Sequence, residues 1–403
     1  MQEQQMHPKD FSWPFWPAVP LYPYGRRRTL RHEVVPDRVW TFDQLQGILY
    51  VVVPIRMTIA KLDAGGLLVY GPVAPTPECV QLVRELETKH GQVKYIILPT
   101  ISGLEHKVFV GPFARQFPQA QVFVAPHQWS FPLNLPLSWL GFPPKRTSPL
   151  PEDSSKTPFA DQFDYAMLGP IDLGPGLFGE VAFLDKRSGS LLVTDIVVSV
   201  PEDPPAIAQL DPYPLLFHAK DSASDLREDN WANRRQGWQR ICLFAFYFQP
   251  SKLSAINWSD AFSKAKKAPD RSLKAYFGLF PFQWQADWRR SFDALRGNGR
   301  LLVAPILQTL ILNRAPRATL DWVNQIASWD FQRIIPCHFQ KAIAVGPEQF
   351  REAFSFLEKQ PECSNYPLPQ EDFQLLQDIN AGLQKFGILP PAQDIVGAKH
   401  SGE

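Results

Sequence analysis

Three short stretches of this sequence end a run of β-forming residues in side chains that could bind a metal ion. Residues 95–107 (YIILPTISGLEHK) end in Glu105 and His106, residues 189–198 (GSLLVTDIVV) carry Asp195, and residues 333–339 (RIIPCHF) carry His338. Sites in layered α/β folds form where loops leave strand ends. Two carboxylates and two imidazoles make a mixed oxygen and nitrogen donor set suited to one zinc, iron or manganese ion. Each residue also has a structural reading that the sequence leaves open. His106 fits a buried hydrogen-bond network, Asp195 fits a turn cap, and His338 fits a satisfied core histidine. For His127 and His218 a hydrogen-bonding or surface role is expected. Cys337 is a thiolate donor in principle, but as the chain neighbour of His338 it is expected to point elsewhere. No nucleophile elbow, P-loop or dinucleotide fingerprint occurs.

Regular patterning begins at Val39. Residues 57–62 and 67–70 read as strands joined by an Asp63-Ala64-Gly65-Gly66 hairpin. Thr76 caps a helix that has Pro77 in its first position and Cys79, Leu82, Val83 and Leu86 on one face. A buried strand at 93–98 leads into the motif loop at 99–107, then a short helix at 113–117 and a strand at 122–125. Strands are predicted at 180–184 and 190–198. Between 201 and 299 one helix is clear, with Trp284, Trp288, Phe292 and Leu295 on a single stripe. A helix at 318–327, a strand at 333–335 and helices near 347–359 and 371–385 follow. Such alternation argues for α/β layers. The expected division is an irregular arm at 1–36, a domain at 37–345 with insertions near 127–160 and 201–300, and C-terminal helices and tail at 346–403.

The 403 residues suffice for one large domain with insertions or for two domains. Lys+Arg 41 against Asp+Glu 40 leaves a net charge of +1, without the basic excess that a nucleic-acid binder needs. The longest apolar runs, 301–312 and 241–248, fall short of the roughly 18 residues of a spanning helix, and no secretory signal is expected. Cys79, Cys242, Cys337 and Cys363 form no CxxC pair, so a reducing compartment is expected. Residues 11–24 (FSWPFWPAVPLYPY) alternate aromatics with proline ahead of Arg26, Arg27 and Arg28. Proline at that density excludes helix and central strand. A packed arm is expected; the alternative is a peripheral membrane contact, aromatics in the interface and arginines on headgroups.

The same stretches resemble the metallo-β-lactamase-like fold, an αββα sandwich. That fold carries a THxHxDH loop after a strand, a histidine in a PGHTxGS-like turn, an aspartate ending a GxLLxxGD strand and a histidine in a PGH turn. Residues 100–106 (TISGLEH) resemble the loop, with Ile101 and Gly103 in place of its first two histidines, Glu105 for its aspartate, and His106 retained. Residues 174–180 (GPGLFGE) resemble the turn, with Gly176 at the histidine. Asp195 and His338 match the last two motifs. The resemblance therefore implies that the first metal's ligands are lost at Ile101, Gly103 and Gly176. The second metal's set is kept at Glu105, His106, Asp195 and His338, with Glu105 one methylene longer than the usual aspartate. From about Val39 to His338 the chain is also similar to the domain-of-unknown-function family 4336 of cyanobacteria and plastids, through LEHKVFVGPFARQFPQAQVFVAP and LLFHAKD. That likeness implies a cyanobacterial cytoplasm or plastid stroma, with thylakoid association as a variant. The expected function is a non-catalytic binding or assembly role with a protein partner; the alternative is a mononuclear hydrolase using only the second metal position.

Overall fold

The structure, a computed structural model, describes residues 7–15, 17, 20–130, 134–358 and 368–393. Two mixed sheets stack face to face. The first contains β1 (Leu30–Val35), β2 (Val39–Ile48), β3 (Val51–Lys61), β4 (Leu67–Tyr70), β5 (Val93–Leu98), β6 (Gln121–Val124) and β7 (Thr147–Pro149), side by side in chain order. Its first four strands are antiparallel neighbours and its last four parallel ones. The second contains β8 (Phe163–Asp172), β9 (Leu177–Asp185) and β10 (Ser190–Val193) as antiparallel neighbours. A small ribbon of β11 (Leu253–Ala255) and β12 (Phe282–Trp284) precedes β13 (Arg333–Pro336), which completes the second sheet by pairing parallel to β10.

The helices are α1 (Pro77–His90), α2 (Leu104–Gln116), α3 (Ala206–Gln209), α4 (Tyr213–Ala219), α5 (Trp231–Tyr247), α6 (Trp258–Ala265), α7 (Arg289–Arg296), α8 (Pro305–Leu310), α9 (Pro316–Ala327), α10 (Pro347–Glu352) and α11 (Gln374–Lys385).

Strand alternation sorts side chains into layers. Leu67 and Val69 of β4 meet Cys79, Val83 and Leu86 of α1 and Phe109 and Phe113 of α2, whereas Leu68 and Tyr70 turn inward. There they meet Val181 and Phe183 of β9, Leu192 of β10 and Ile335 of β13. On the far side Leu191, Val193 and Ile334 pack on Leu320, Val323 and Ile326 of α9. The result is the expected αββα sandwich. A fourth apolar cluster joins α4, α5 and α7 to the end of the β2–β3 hairpin through Tyr50 and Val52.

Several expectations need correction. α2 begins at Leu104, so Glu105 and His106 lie in its first turn rather than in an irregular loop. The short helix expected at 113–117 is the end of this longer one, and Pro112 inside it is accommodated within the buried face. α7 begins at Arg289, with Trp284 on β12 and Trp288 just before the helix. Strand β10 stops at Val193, short of the predicted end at residue 198. α10 ends at Glu352 and is followed by a 3-10 turn, while Lys359 and Cys363 lie outside the described residues. The described part of the N-terminal segment is partly packed: Trp13 and Tyr22 are buried and Arg28 covers the Phe11 ring at 4.3 Å, while Phe15 and Tyr24 are exposed.

Candidate metal centre

The four expected residues meet at the C-terminal ends of β5, β10 and β13. His338 Nε2 lies 3.0 Å from an Asp195 oxygen and 3.2 Å from a Glu105 oxygen. The His106 and His338 ring centres are 6.5 Å apart. The carboxylates open towards solvent, at 47% side-chain exposure for Glu105 and 41% for Asp195, while both imidazoles are buried.

Each imidazole is anchored through Nδ1 on a proline carbonyl. His106 donates to Pro72 over 3.0 Å and His338 to Pro54 over 2.9 Å. A carbonyl only accepts, so Nδ1 carries the hydrogen and Nε2 is turned to the site. Pro54 can serve because β4 pairs with β3 only from Thr58 onward, leaving that part of β3 as a local edge. Burial pushes the His106 pKa down, and the protonated His338 adds to this. For His338 burial acts downward too, but hydrogen bonds and charge from Asp195 and Glu105 outweigh it and hold the ring protonated well above its ordinary value. Burial alone would raise the Asp195 carboxyl; its contact with His338 reverses the sign. His338 thus acts as the cation of the cluster, and His106 is a neutral base.

Among the described residues no group of three or more His, Cys, Asp and Glu side chains could hold an ion as they stand. The donor chemistry nevertheless fits one. His106 Nε2 is buried and has no hydrogen-bond partner, and it lies beside two carboxylates and an imidazole whose own Nε2 holds a displaceable proton. Cys337 is not part of the set. Its buried thiol lies against Gly71, and burial raises its pKa well above the ordinary value.

Two residues to which the sequence reading gave no role at the site hold these loops. Glu180, wholly buried on β9, accepts the backbone N–H groups of Thr194, Asp195 and Ile196 at 2.6, 2.9 and 3.1 Å. Burial pushes its pKa up to about 7, and the Asp195 charge acts in the same direction. Arg56, buried on β3, pairs with Asp43 at 2.6 Å and donates to the carbonyls of Pro336, Phe339 and Gln340. Phe339 there has φ +55°, a left-handed conformation that a bulky residue adopts only when its surroundings enforce it. The available signal was the same for both: one ionisable residue within an otherwise apolar strand, GEVAF and PIRMT.

Of the positions matching the lost ligands, Ile101 is buried and Gly176 is closed off, whereas a Cβ on Gly103 would meet only the Thr100 side chain, at an ordinary 3.6 Å. A Cβ on Gly176 would come within 2.5 Å of the Trp129 ring, and one on Gly179 within 2.3 Å of Ile101. The buried Lys107 ammonium donates to the carbonyls of Ile101 and Trp129, tying the two residues together. Burial lowers its pKa to about 8. His127 is exposed and His218 hydrogen-bonds the Leu49 carbonyl; neither joins the cluster.

The sequence profile of the family described as Domain of unknown function (DUF4336) matches residues 36–356. The chain belongs to the DUF4336 family. No curated protein matches the sequence. Among solved structures, a flavoprotein from Thermotoga maritima matches with 8% identity and a TM-score of 0.43 over 84% of this chain, which spans 64% of that protein. A flavodiiron core, Flv1 of Synechocystis, matches with 11% identity and a TM-score of 0.43 over 93% of this chain and 73% of its own. The DIM-1 metallo-β-lactamase matches with 10% identity and a TM-score of 0.37 over 82% of this chain and 97% of its own.

Proposed function

We propose that this DUF4336 chain holds a single divalent transition-metal ion between Glu105, His106, Asp195 and His338, and uses it in a hydrolytic reaction. The observation that carries this reading is the buried Nε2 of His106, which has no partner although its Nδ1 is anchored and the charges of Glu105 and Asp195 act on its ring. Buried polar nitrogens normally find a partner. A bound ion would supply a nucleophilic water near neutral pH and polarise a carbonyl or phosphoryl oxygen. The protein's own contributions are positional. Pro54 and Pro72 fix the tautomers. Arg56 and Glu180 hold the two loops that carry His338 and Asp195. The exposed sides of Glu105 and Asp195 leave an approach for substrate.

A second reading, a non-catalytic binding role, is favoured by the Trp129–Ile101 plug and by a cavity of about 390 Å³ beside it. Leu150, Met167 and Val181 give that cavity apolar walls, and His127, Glu152 and Gln325 line it with polar groups. Elemental analysis of protein purified without chelator, beside an Asp195→Ala/His338→Ala variant, separates the two. About one equivalent of metal, lost in the variant, together with turnover of an ester, thioester or phosphodiester, supports the hydrolase. Metal without turnover leaves the binding role. Substoichiometric metal, unchanged in the variant, removes the ion altogether.

A further inference from the structure

Residues 256–278 fold with their apolar side chains sorted by size in an unusual sense. Ala261 and Ala265 of α6, with Ala268, Ala275 and Gly278, face inward and are buried. A Cβ on Gly278 would strike Ala268 at 2.7 Å, so the turn at 273–278 sits directly on the end of α6. Four of the large side chains lie outside: Trp258 is 65% exposed, Phe262 54%, Leu273 75% and Phe277 62%. Trp258 and Phe262 pair at 6.1 Å between ring centres. Tyr276 and Phe277 both take left-handed φ, +48° and +58°. The Tyr276 ring meets Tyr50 at 5.1 Å and Phe217 at 5.6 Å, while Phe277 projects outward.

The β2–β3 hairpin tip adjoins this unit. Tyr50 donates its hydroxyl hydrogen to the Lys274 carbonyl at 2.8 Å, and next to it Ile48 is 64% and Leu49 57% exposed. Six large apolar side chains thus stand on two neighbouring protrusions. Burial would normally favour the large residues inside and alanine outside. Between the exposed rings the charge is one-sided: Lys264, Lys266, Lys267, Arg271 and Lys274 are all exposed, against Asp260 and Asp270. This surplus of three positive charges lies within a chain whose total is +1.

We propose that this surface docks on an anionic lipid bilayer. Trp258, Phe262, Leu273, Phe277 and the Ile48–Leu49 tip would enter the headgroup–acyl boundary while the lysines and Arg271 contact lipid phosphates. Protruding turns suit shallow insertion, aromatic and aliphatic side chains are those that partition at the interface, and lysine stems reach back from it to the headgroups. The positive surplus selects an anionic surface over a neutral one. Of the N-terminal aromatics, Trp13 and Tyr22 are buried, and the exposed Phe15 and Tyr24 are not part of this patch. The proposal is independent of any metal.

The test is co-sedimentation of the full chain with phosphatidylcholine vesicles, with and without about one third phosphatidylglycerol. Binding is expected to the anionic vesicles only. It should weaken at least about tenfold in Phe262→Ser/Phe277→Ser, and comparably in Lys264→Glu/Lys266→Glu/Lys267→Glu. Trp139→Ser, an exposed residue outside the patch, should bind like the unaltered chain. All substituted positions are exposed, so thermal midpoints should not move, and the charge variant serves as the test if the apolar one misfolds. Absence of binding, equal binding to both vesicles, or unchanged binding in both patch variants overturns the proposal. So does a dimer that becomes monomeric in the patch variants without any vesicle binding, which would assign the surface to a second copy of the chain.

Discussion

At the scale of single residues, the site depends on close approach. Gly71, at φ +61°, passes so near the His106 ring and the Cys337 sulfur that an added Cβ would lie 3.2–3.3 Å from both. Gly71→Ala is expected to cost about 2 kcal/mol or more and to lower metal content by displacing His106. Gly65→Ala, at φ +77° with open space around it, should show only backbone strain of about 1 kcal/mol and keep its metal. Chemical denaturation with elemental analysis of both variants distinguishes them; equal metal loss would refute the close-approach argument. His218 offers a second residue-scale prediction. Burial lowers its pKa to about 4 from an ordinary 6.5. Below about pH 6.5 the unfolded chain takes up a proton that the folded chain refuses, so this contribution is complete above 6.5 and is lost as pH falls towards 4. The loss should reach roughly 3 kcal/mol. His218→Gln should flatten the stability difference between pH 7 and pH 4 by that amount; an unchanged slope would assign it to other groups. Glu105, His106, Asp195 and His338 were legible because each follows a strand-like run. Arg56 and Glu180 were not, because an ionisable residue inside a strand pattern gives no hint of which carbonyls or amides it will reach.

At the scale of elements, Glu180 is the brace of the turn after β10. Removing it leaves three backbone N–H groups buried without an acceptor. Glu180→Ala should cost roughly 3 kcal/mol and release Asp195, whereas Glu180→Gln retains an acceptor oxygen and should cost less. Urea titration of the pair with metal content as the second readout checks this; equal losses would mean that the carboxylate charge, not its acceptors, matters. Most elements framing the site were readable. Thr76 and Pro77 announced α1 through a cap that the structure shows, the Thr76 side chain accepting from Cys79 N–H. Helix α5, the longest in the described residues, was missed for a physical reason. Trp238, Ile241, Cys242, Leu243, Phe244, Phe246 and Tyr247 are all buried, so no polar face marks a 3.6-residue period. The beginning of α2 was obscured by Pro112. Strand β8 gave no signal because Gly169 and Pro170 interrupt its pattern, and its pairing with β9 shifts register there.

At the scale of the whole molecule, the site is also a seam between the sheets. Thr100 after β5 bridges to Glu180 on β9, and Val181 N–H reaches the Pro99 carbonyl at 2.8 Å. If an ion is held there, removing it should weaken the fold as a whole. At a free-metal concentration about a thousandfold above Kd, chelation should remove about 4 kcal/mol and lower a single cooperative transition. Calorimetry with and without chelator tests this; an unmoved midpoint in a protein shown to carry metal would place the ion outside the cooperative unit. The pairing of β10 with β13 has a different consequence, for synthesis. Ser190 and Arg333 are neighbours across that pair yet 143 residues apart in the chain. At about 5–20 residues per second, a ribosome needs on the order of ten seconds or more to make the missing partner. Throughout that interval Leu191–Val193 forms an unclosed apolar edge, the kind of surface that recruits the wrong strand. Nascent chains arrested before residue 333 should therefore need a chaperone to stay dispersed, and chains arrested after β13 has cleared the exit tunnel should not.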